Sequence, residues 1–586
     1  MCGIAGLMMR GASPADAQRL DRMVRAMGHR GPDDHGVFIE GCVGLAHTRL
    51  SIVDLETGHQ PLTEPGGCKL VANGEIYNDP ELRLGLPQTR FATRSDCEPP
   101  LHLYVQGGVG FADHLRGMYA IAIFDPAAQR LVLTRDPFGI KPLYYVEADD
   151  GFAFASEPQA LIAAGYGAGP IDPLRRSELL QLKFTTGAAT IFPQIRRVDP
   201  GETLVVQDGR IVERRRLQAL PSGPPRRARE PDLLTQLETV LMDTVEHHLR
   251  ADVPYGLFLS GGIDSAVLAA VMARLTSRPI VALTAGFPGS GGADETAQAA
   301  RVAKAVGAEH QIVAMTPEDF WDQAPRVAAA LDDPTTDAAA LPTFMLGRAA
   351  KGQLKVVLSG EGADEMFGGY GRYRRASWFG LVRRSSRNHG VFDRWRAPGL
   401  EGWRDGLAAG EAGAYAGGRS AIQGLQAVDC GQWLPNDLLV KLDRCLMAHS
   451  VEGRTPFLDP VVADFAFRLP DAMKVRGRFG KWLLREWLSK ALPEAAAFAR
   501  KSGFNPPVGA WIAAGRPTTL DLVARQPGVA DVMAPERVRA VLGQAAQRPQ
   551  AAWSLIFYAL WHSHHVLGVA ADGSVAEVLA QALYLG

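Results

Sequence analysis

The sequence predicts two domains of different class. An N-terminal half of antiparallel β-sheet with a few helices precedes a C-terminal half that begins as α/β with a parallel sheet and turns mostly helical beyond about Trp378. Three observations predict this. The chain has 586 residues, too many for one hydrophobic core, and ordinary domain sizes divide it into two to four units. From Ile4 to about Arg215, short apolar runs alternate with turn residues, the texture of antiparallel strands. Beyond Pro231, apolar segments with helical spacing alternate with short apolar strands, the order of parallel strands joined by crossover helices.

In the first half the strand-like runs are IAGLM near the start, VGLAH (43–47), KLVAN (69–73), YAIAIFD, RLVLTRD, PLYYV and FAFAS. LQALPSGPPRRARE (217–230) is rich in Pro and Arg and lacks an apolar period, which places a linker at 216–231 between domains at 2–215 and 232–586. In the second half, a helical PDLLTQLETVLMDTVEHHLR leads into YGLFLS, a Gly turn and the helical DSAVLAAVMARL. The pattern repeats with PIVALTAGF before AQAARVAKAV, and with LKVVLSG before a short Gly-rich loop.

Composition narrows the partners. With 47% hydrophobic and 21% charged residues the chain reads as globular, and its 62 Lys plus Arg against 63 Asp plus Glu give no field for nucleic acid or an anionic membrane. Small-molecule substrates are expected. The six scattered cysteines include no C-x-x-C pair, which argues against a zinc site or disulfide framework and for a reducing, cytoplasmic setting. No targeting segment and no apolar window of about 18 residues is read.

Cys2 follows the initiator Met, whose removal would leave one residue carrying both a thiol nucleophile and an α-amine able to take its proton. Alone this is ambiguous, and Asn73–Gly74 alone suits a hairpin turn. However, MCGIAG, HRGPDDHG (29–36), AHTRLSIVD (46–54), NGEIYN (73–78), SDCE (95–98) and RDPFGIKPLYY (135–145) occur in that order. This series resembles the glutaminase domain of class II glutamine amidotransferases, members of the N-terminal-nucleophile hydrolase superfamily. The resemblance implies an α+β sandwich of antiparallel sheets between helices. It also implies that Cys2 is the nucleophile and that Asn73 with the Gly74 N–H forms the oxyanion hole. Arg49 would pair with the glutamine carboxylate within the run Leu50, Ser51, Ile52 and Val53, while Glu75 and Asp96 would hold its ammonium.

LFLSGGIDSAV (257–267) places Ser260, Gly261, Gly262, Asp264 and Ser265 between a strand and a helix, where backbone N–H groups suit an anion. It lacks the Walker pattern and resembles the pyrophosphate loop of ATP-pyrophosphatases, which implies ATP, with Leu259, Ala285, Ser359 and Gly360 as further nucleotide contacts. SGEGADEMFGGY (359–370) adds the oxygen ligands Glu361, Asp364 and Glu365, and Asp264 with Asp364 is the expected Mg2+ pair. VEGRTPFLD (451–459), FGKWLLRE (479–486) and RKSGFNPP (500–507) extend the likeness to glutamine-hydrolysing asparagine synthetases over residues 2 to about 510. Lys481 is then expected at the reacting phosphate, whereas Glu452 and Arg454 equally suit a buried structural ion pair.

Two departures stand out. ALDDPTTDAAALPTF (330–344) carries Asp332–Asp333 where relatives have an acidic residue before Pro, which leaves the acceptor open while keeping Asp333 as a catalytic candidate. Pro99 and Pro100 fall where a helix would begin, a position Pro tolerates in the first turn. The expected reaction is glutamine-dependent amidation of aspartate with ATP, and the alternative is another carboxylate acceptor such as a sugar acid, a peptide or a secondary metabolite. A homodimer is a family-level expectation, and residues after about Pro517 carry no functional signal.

Overall fold

A computed structural model describes the chain except residues 1, 12, 168, 290–294, 379–388, 396, 398, 500–505 and 586. Most of the RKSGFNPP motif and Met1 therefore lie outside the described residues. In the first half, two six-stranded sheets run antiparallel throughout their named pairings. One places Gly3–Met9 between Gly151–Ala155 and Val43–Arg49, and the other places Gly117–Asp125 between Arg130–Arg135 and Lys69–Ile76. Strand alternation sends Ile4, Met8 and Leu45 of one sheet against Val71, Ala120, Phe124 and Leu133 of the other, a dry core between them.

The outer faces are covered by helices. Leu20 and Met23 of the helix Ala17–Ala26 pack on Ala5 and Leu7, and Leu101 and Tyr104 of the helix Glu98–Gly107 pack on Leu70 and Ala72. The layers are helix, sheet, sheet, helix, as the sequence implied. Pro99 and Pro100 occupy the opening of the second helix, which leaves its hydrogen bonding intact.

Between Arg216 and Glu230 there is neither helix nor strand. Beyond it a five-stranded parallel sheet runs in the order Glu309–Ala314, Val281–Gly286, Tyr255–Phe258, Val356–Leu358, Glu452–Arg454. The last of these is a short strand within the mostly helical part that follows Trp378. Its three residues carry no apolar alternation, and their pairing with Val356–Leu358 is set by the sheet, not by local sequence. The C-terminal helices are structural: Trp561 of Pro549–His565 donates to the Leu331 carbonyl at 3.0 Å and Gln550 to that of Thr336 at 2.8 Å, fixing the 331–336 segment.

The two halves meet through buried charge. Arg30 donates to Glu157 at 2.7 Å and to both oxygens of Asp443 at 2.8 and 3.0 Å. Arg444 donates to Asp443 at 2.9 Å and to Asp332 at 2.7 Å, and Asp332 also accepts the Gln159 N–H at 3.0 Å. Asp333 is gripped by Arg197 at 2.7 and 2.6 Å and by the Tyr144 hydroxyl at 2.7 Å. All of these side chains are buried. Removing one partner of such a pair strands the other charge without solvent, so Asp333→Ala is expected to lower unfolding stability by about 3–5 kcal/mol, measured by denaturant titration against wild type.

Candidate active sites

The strand Lys69–Ile76 delivers Asn73 beneath the strand Gly3–Met9, and the Cys2 backbone nitrogen donates to Asn73 Oδ1 at 3.0 Å. That nitrogen would be the α-amine of a chain lacking Met1, as the sequence reading expects. The other end of the Asn73 amide, Nδ2, is buried and meets no acceptor among the described residues. Burying a donor unpaired is costly, which marks it as waiting for an oxygen. Burial raises the Cys2 thiol above its ordinary value, so a base must take its proton. Arg30 Nε donates to the Cys2 carbonyl at 3.0 Å and fixes the backbone there.

Around Cys2 one cavity is lined by Arg49, Leu50, Ile52, Val53, Gly74, Glu75 and Asp96, seven of the residues expected to bind glutamine. Asn73 touches it through Cys2. Ser51 does not line it: its N–H points to Asp33 at 2.8 Å. Asn73 and Gly74 lie inside a strand and not in a hairpin turn, and the reason for glycine is different from substrate approach alone. A Cβ on Gly74 would stand 2.1 Å from the Met118 carbonyl of the adjacent strand. Arg49 is oriented by the Asp54 carbonyl at 2.5 Å. Arg454 spans from Glu452 at 2.6 Å to Glu75 at 3.1 Å, so the VEGR segment of the second half buttresses the first half's pocket. Burial pushes Glu75 well up despite Arg454, while Glu452, against its own burial, is held down to about 2 by the positive charge of the amino terminus, Arg454 and Lys141.

In the second half, Leu259, Ser260, Gly262, Asp264, Ser265, Ala285, Ser359, Gly360 and Asp364 line a second cavity. Gly261 is not in the lining, and its N–H is taken by the Glu295 carboxylate at 3.2 Å. The loop is braced by its own hydroxyls, with Ser260 N donating to Ser265 Oγ at 3.0 Å and Gly262 N to Ser260 Oγ at 3.1 Å. Lys481 Nζ lies 2.6 Å from both Asp264 and Asp364. Burial works against its charge, but the two carboxylates keep its pKa raised. Lys481 is held at φ 55, and Gly369 is obligatory beside it, since a Cβ there would fall 1.7 Å from Asp364 Oδ1.

Sequence reasoning missed Glu295, Thr343, Leu346 and Leu442 in this lining; Thr343 and Leu346 follow a helical i, i+3 step that only the sheet's topology aims inward. Asp333 is not brought to either cavity, and its carboxylate is consumed by Arg197 and Tyr144. A wider cleft of about 680 Å³ between residues 113–116, 236–240 and 460–465 gathers no nucleophile or phosphate loop.

An antiparallel sandwich with a cavity around a buried Cys2, joined by buried charge to a parallel α/β unit with a Gly-rich loop between strand and helix, fits the class of two-site amidotransferases. Residues 1–216 match the glutamine amidotransferase domain model and residues 236–563 the asparagine synthase model. The glutamine-hydrolysing asparagine synthetase 1 of Bacillus subtilis (strain 168) is 31% identical, with 97% of each chain covered. Asparagine synthetase B of Escherichia coli (strain K12) is 30% identical over 90% of this chain and 85% of its own length. The chain belongs to the family of glutamine-hydrolysing asparagine synthetases.

Burial raises the Asp96 carboxyl to about 6 even though the Ile76 N–H at 2.6 Å favours its ionised form. Binding of glutamine's ammonium by Asp96, as the sequence reading expects, would need that charge, which is present above about pH 6 and lost below it. The glutamine KM is therefore expected to rise about tenfold for each pH unit below about 6, and Asp96→Asn to remove that slope in a pH profile of glutamine hydrolysis.

Proposed function

We propose that this protein makes asparagine from aspartate, glutamine and ATP, with a domain division at 2–215, 216–231 and 232–586. The Cys2 thiol attacks the glutamine amide after its α-amine takes the proton, and the resulting oxyanion is met by Asn73 Nδ2 and the Gly74 N–H. Ammonia leaves, and water releases glutamate from the thioester. In the second cavity the aspartate side-chain carboxylate attacks the α-phosphorus of ATP and pyrophosphate leaves. Lys481 stabilises charge on that phosphorus, and ammonia then displaces AMP from the acyl adenylate.

One observation carries this reading. Leu50 and Ile52 of the glutamine pocket and Leu259 of the nucleotide cavity belong to a single buried apolar cluster. Ammonia formed at Cys2 therefore has a dry surrounding towards the second site, where it escapes protonation. Asp264 and Asp364 would hold magnesium. Among the described residues no group of three or more His, Cys, Asp or Glu could hold a metal alone, so the nucleotide's own oxygens would complete the set, as magnesium usually requires. When bound, it would offset phosphate charge.

The test is pyrophosphate release with glutamine, ATP and magnesium, with and without aspartate, and mass analysis of the product. Aspartate-dependent release with asparagine supports the reading; release driven only by another acid replaces its acceptor. Cys2→Ala is expected to abolish glutamine-dependent synthesis while ammonia-dependent synthesis stays within a few-fold, and equal loss of both would overturn the two-site scheme. Asn73→Ala is expected to lower the kcat of glutamine hydrolysis by about 10²–10³-fold in a glutamate-release assay.

A further inference from the structure

The backbone that carries Cys2 is held by groups whose own anchors lie in the second half of the chain. Arg30 Nε takes the Cys2 carbonyl at 3.0 Å, the Ile4 N–H donates to Ser156 Oγ at 3.0 Å, and the Ser156 N–H returns to the Ile4 carbonyl at 2.9 Å. Neither holder stands by itself. Arg30 donates through Nη1 and Nη2 to the two carboxylate oxygens of Asp443 at 2.8 and 3.0 Å, and the Ser156 carbonyl accepts from Arg444 Nη2 at 3.3 Å. Asp443 and Arg444 are consecutive residues of the helix Leu439–Met447. Just beyond that helix Ser450, in the left-handed region at φ 56, donates its hydroxyl to the His29 carbonyl at 2.8 Å, next to Arg30.

This matters because Cys2 and its expected oxyanion donors lie on different sheets. Cys2 precedes the ladder of one sheet, which begins at Gly3, while Asn73 and Gly74 belong to the strand Lys69–Ile76 of the other. No run of backbone bonds sets their separation, and a displacement of about an ångström at a reacting centre costs on the order of a hundredfold in rate. A two-pronged Arg–carboxylate pair fixes the plane of the guanidinium as well as its place. Glu157, which meets only Nη1 and through one oxygen at 2.7 Å, does not fix that plane. Burial alone would raise the Asp443 carboxyl, yet Arg30 beside it holds it below its ordinary value, so the pair stays ionised.

We propose that Asp443, a residue of the second half, is a positioning residue for glutamine hydrolysis in the first: it orients Arg30, which sets the Cys2 backbone against Asn73 and Gly74. This rests on Cys2 being the nucleophile, as proposed above. Asp443 lines neither cavity, so it acts on the placement of the thiol and leaves Arg49 and Asp96 of the glutamine pocket where they are.

The experiment compares glutamate release from glutamine with ammonia-dependent pyrophosphate release, the latter with whichever acid the wild type uses. The full-length proteins are wild type, Asp443→Asn, Asp443→Glu, Arg30→Lys, the Asp443→Asn/Arg30→Lys double variant and Cys2→Ala. Asp443→Asn removes the charge, and Asp443→Glu keeps it but shifts it by one methylene. Each is expected to lower the kcat of glutamine hydrolysis by about tenfold to a hundredfold, with the glutamine KM and the ammonia-dependent rate within about twofold of wild type. Because Asp443 acts through Arg30, the double variant is expected to be no slower than Arg30→Lys. A kcat within about twofold of wild type in both Asp443 variants overturns the role. So does a loss shared equally by the two activities, which marks Asp443 as structural only, and so does a double variant whose loss is the product of the single losses. In those cases Cys2→Ala without glutamine hydrolysis leaves Cys2 standing as the nucleophile, whereas hydrolysis that survives Cys2→Ala refutes that reading and this role together.

Discussion

The structure depends on charge buried where the two halves meet. Arg30, Glu157, Asp443, Arg444 and Asp332 form an unbroken chain of contacts with almost no water, and Arg197 with Asp333 forms a second. Such pairs add little net stability relative to apolar packing, because desolvation offsets attraction. What they supply is register, since a displacement of about an ångström would leave several charges unpaired in a low-dielectric setting. Arg30 shows why register matters here: one guanidinium holds both the Cys2 carbonyl and Asp443. Asp443 lies in the helix Leu439–Met447, which also presents Leu442 to the nucleotide cavity. A single helix thus touches both the Arg30 cluster beside Cys2 and the second cavity.

Each site gathers polar atoms. Asn73 Nδ2 is aimed away from the bond its own amide oxygen makes with Cys2 and meets no acceptor among the described residues, whereas the loop at the second cavity braces its own N–H groups and hydroxyls beside a lining rich in carboxylates. Lys481 mediates between these carboxylates, its ammonium being the counter-charge that allows Asp264 and Asp364 to approach each other. Glycine makes the room: at Gly74 and Gly369 a single methyl group would collide with backbone or with the charged pair.

Much of this was legible in the sequence because the signals are local. The seven apolar runs became seven of the twelve strands of the two sandwich sheets, the prolines at 99 and 100 opened a helix, and the SGG of SGGIDS fell between strand and helix. What was not legible depends on distance along the chain. Glu452–Arg454 is a strand only because Val356–Leu358 accepts it. Asp333 looked catalytic by its neighbours in sequence, whereas its carboxylate is spent on Arg197, 136 positions away. Glu295 and Leu442 reach the nucleotide cavity from elements with no motif at all. Residues after 517 contribute many buried apolar side chains to one core, a contribution that carries no motif in the sequence.

The apolar cluster shared by the two cavities has a consequence for how the molecule can be taken apart. Leu50, Ile52, Met118 and Phe138 of the first half are packed with Leu257, Leu259, Leu358 and Ala363 of the second. Neither half covers that surface alone. A protease cut between Arg216 and Glu230 would therefore yield a tightly held pair of fragments and not two independent enzymes, and either fragment made by itself would expose a greasy face prone to aggregation.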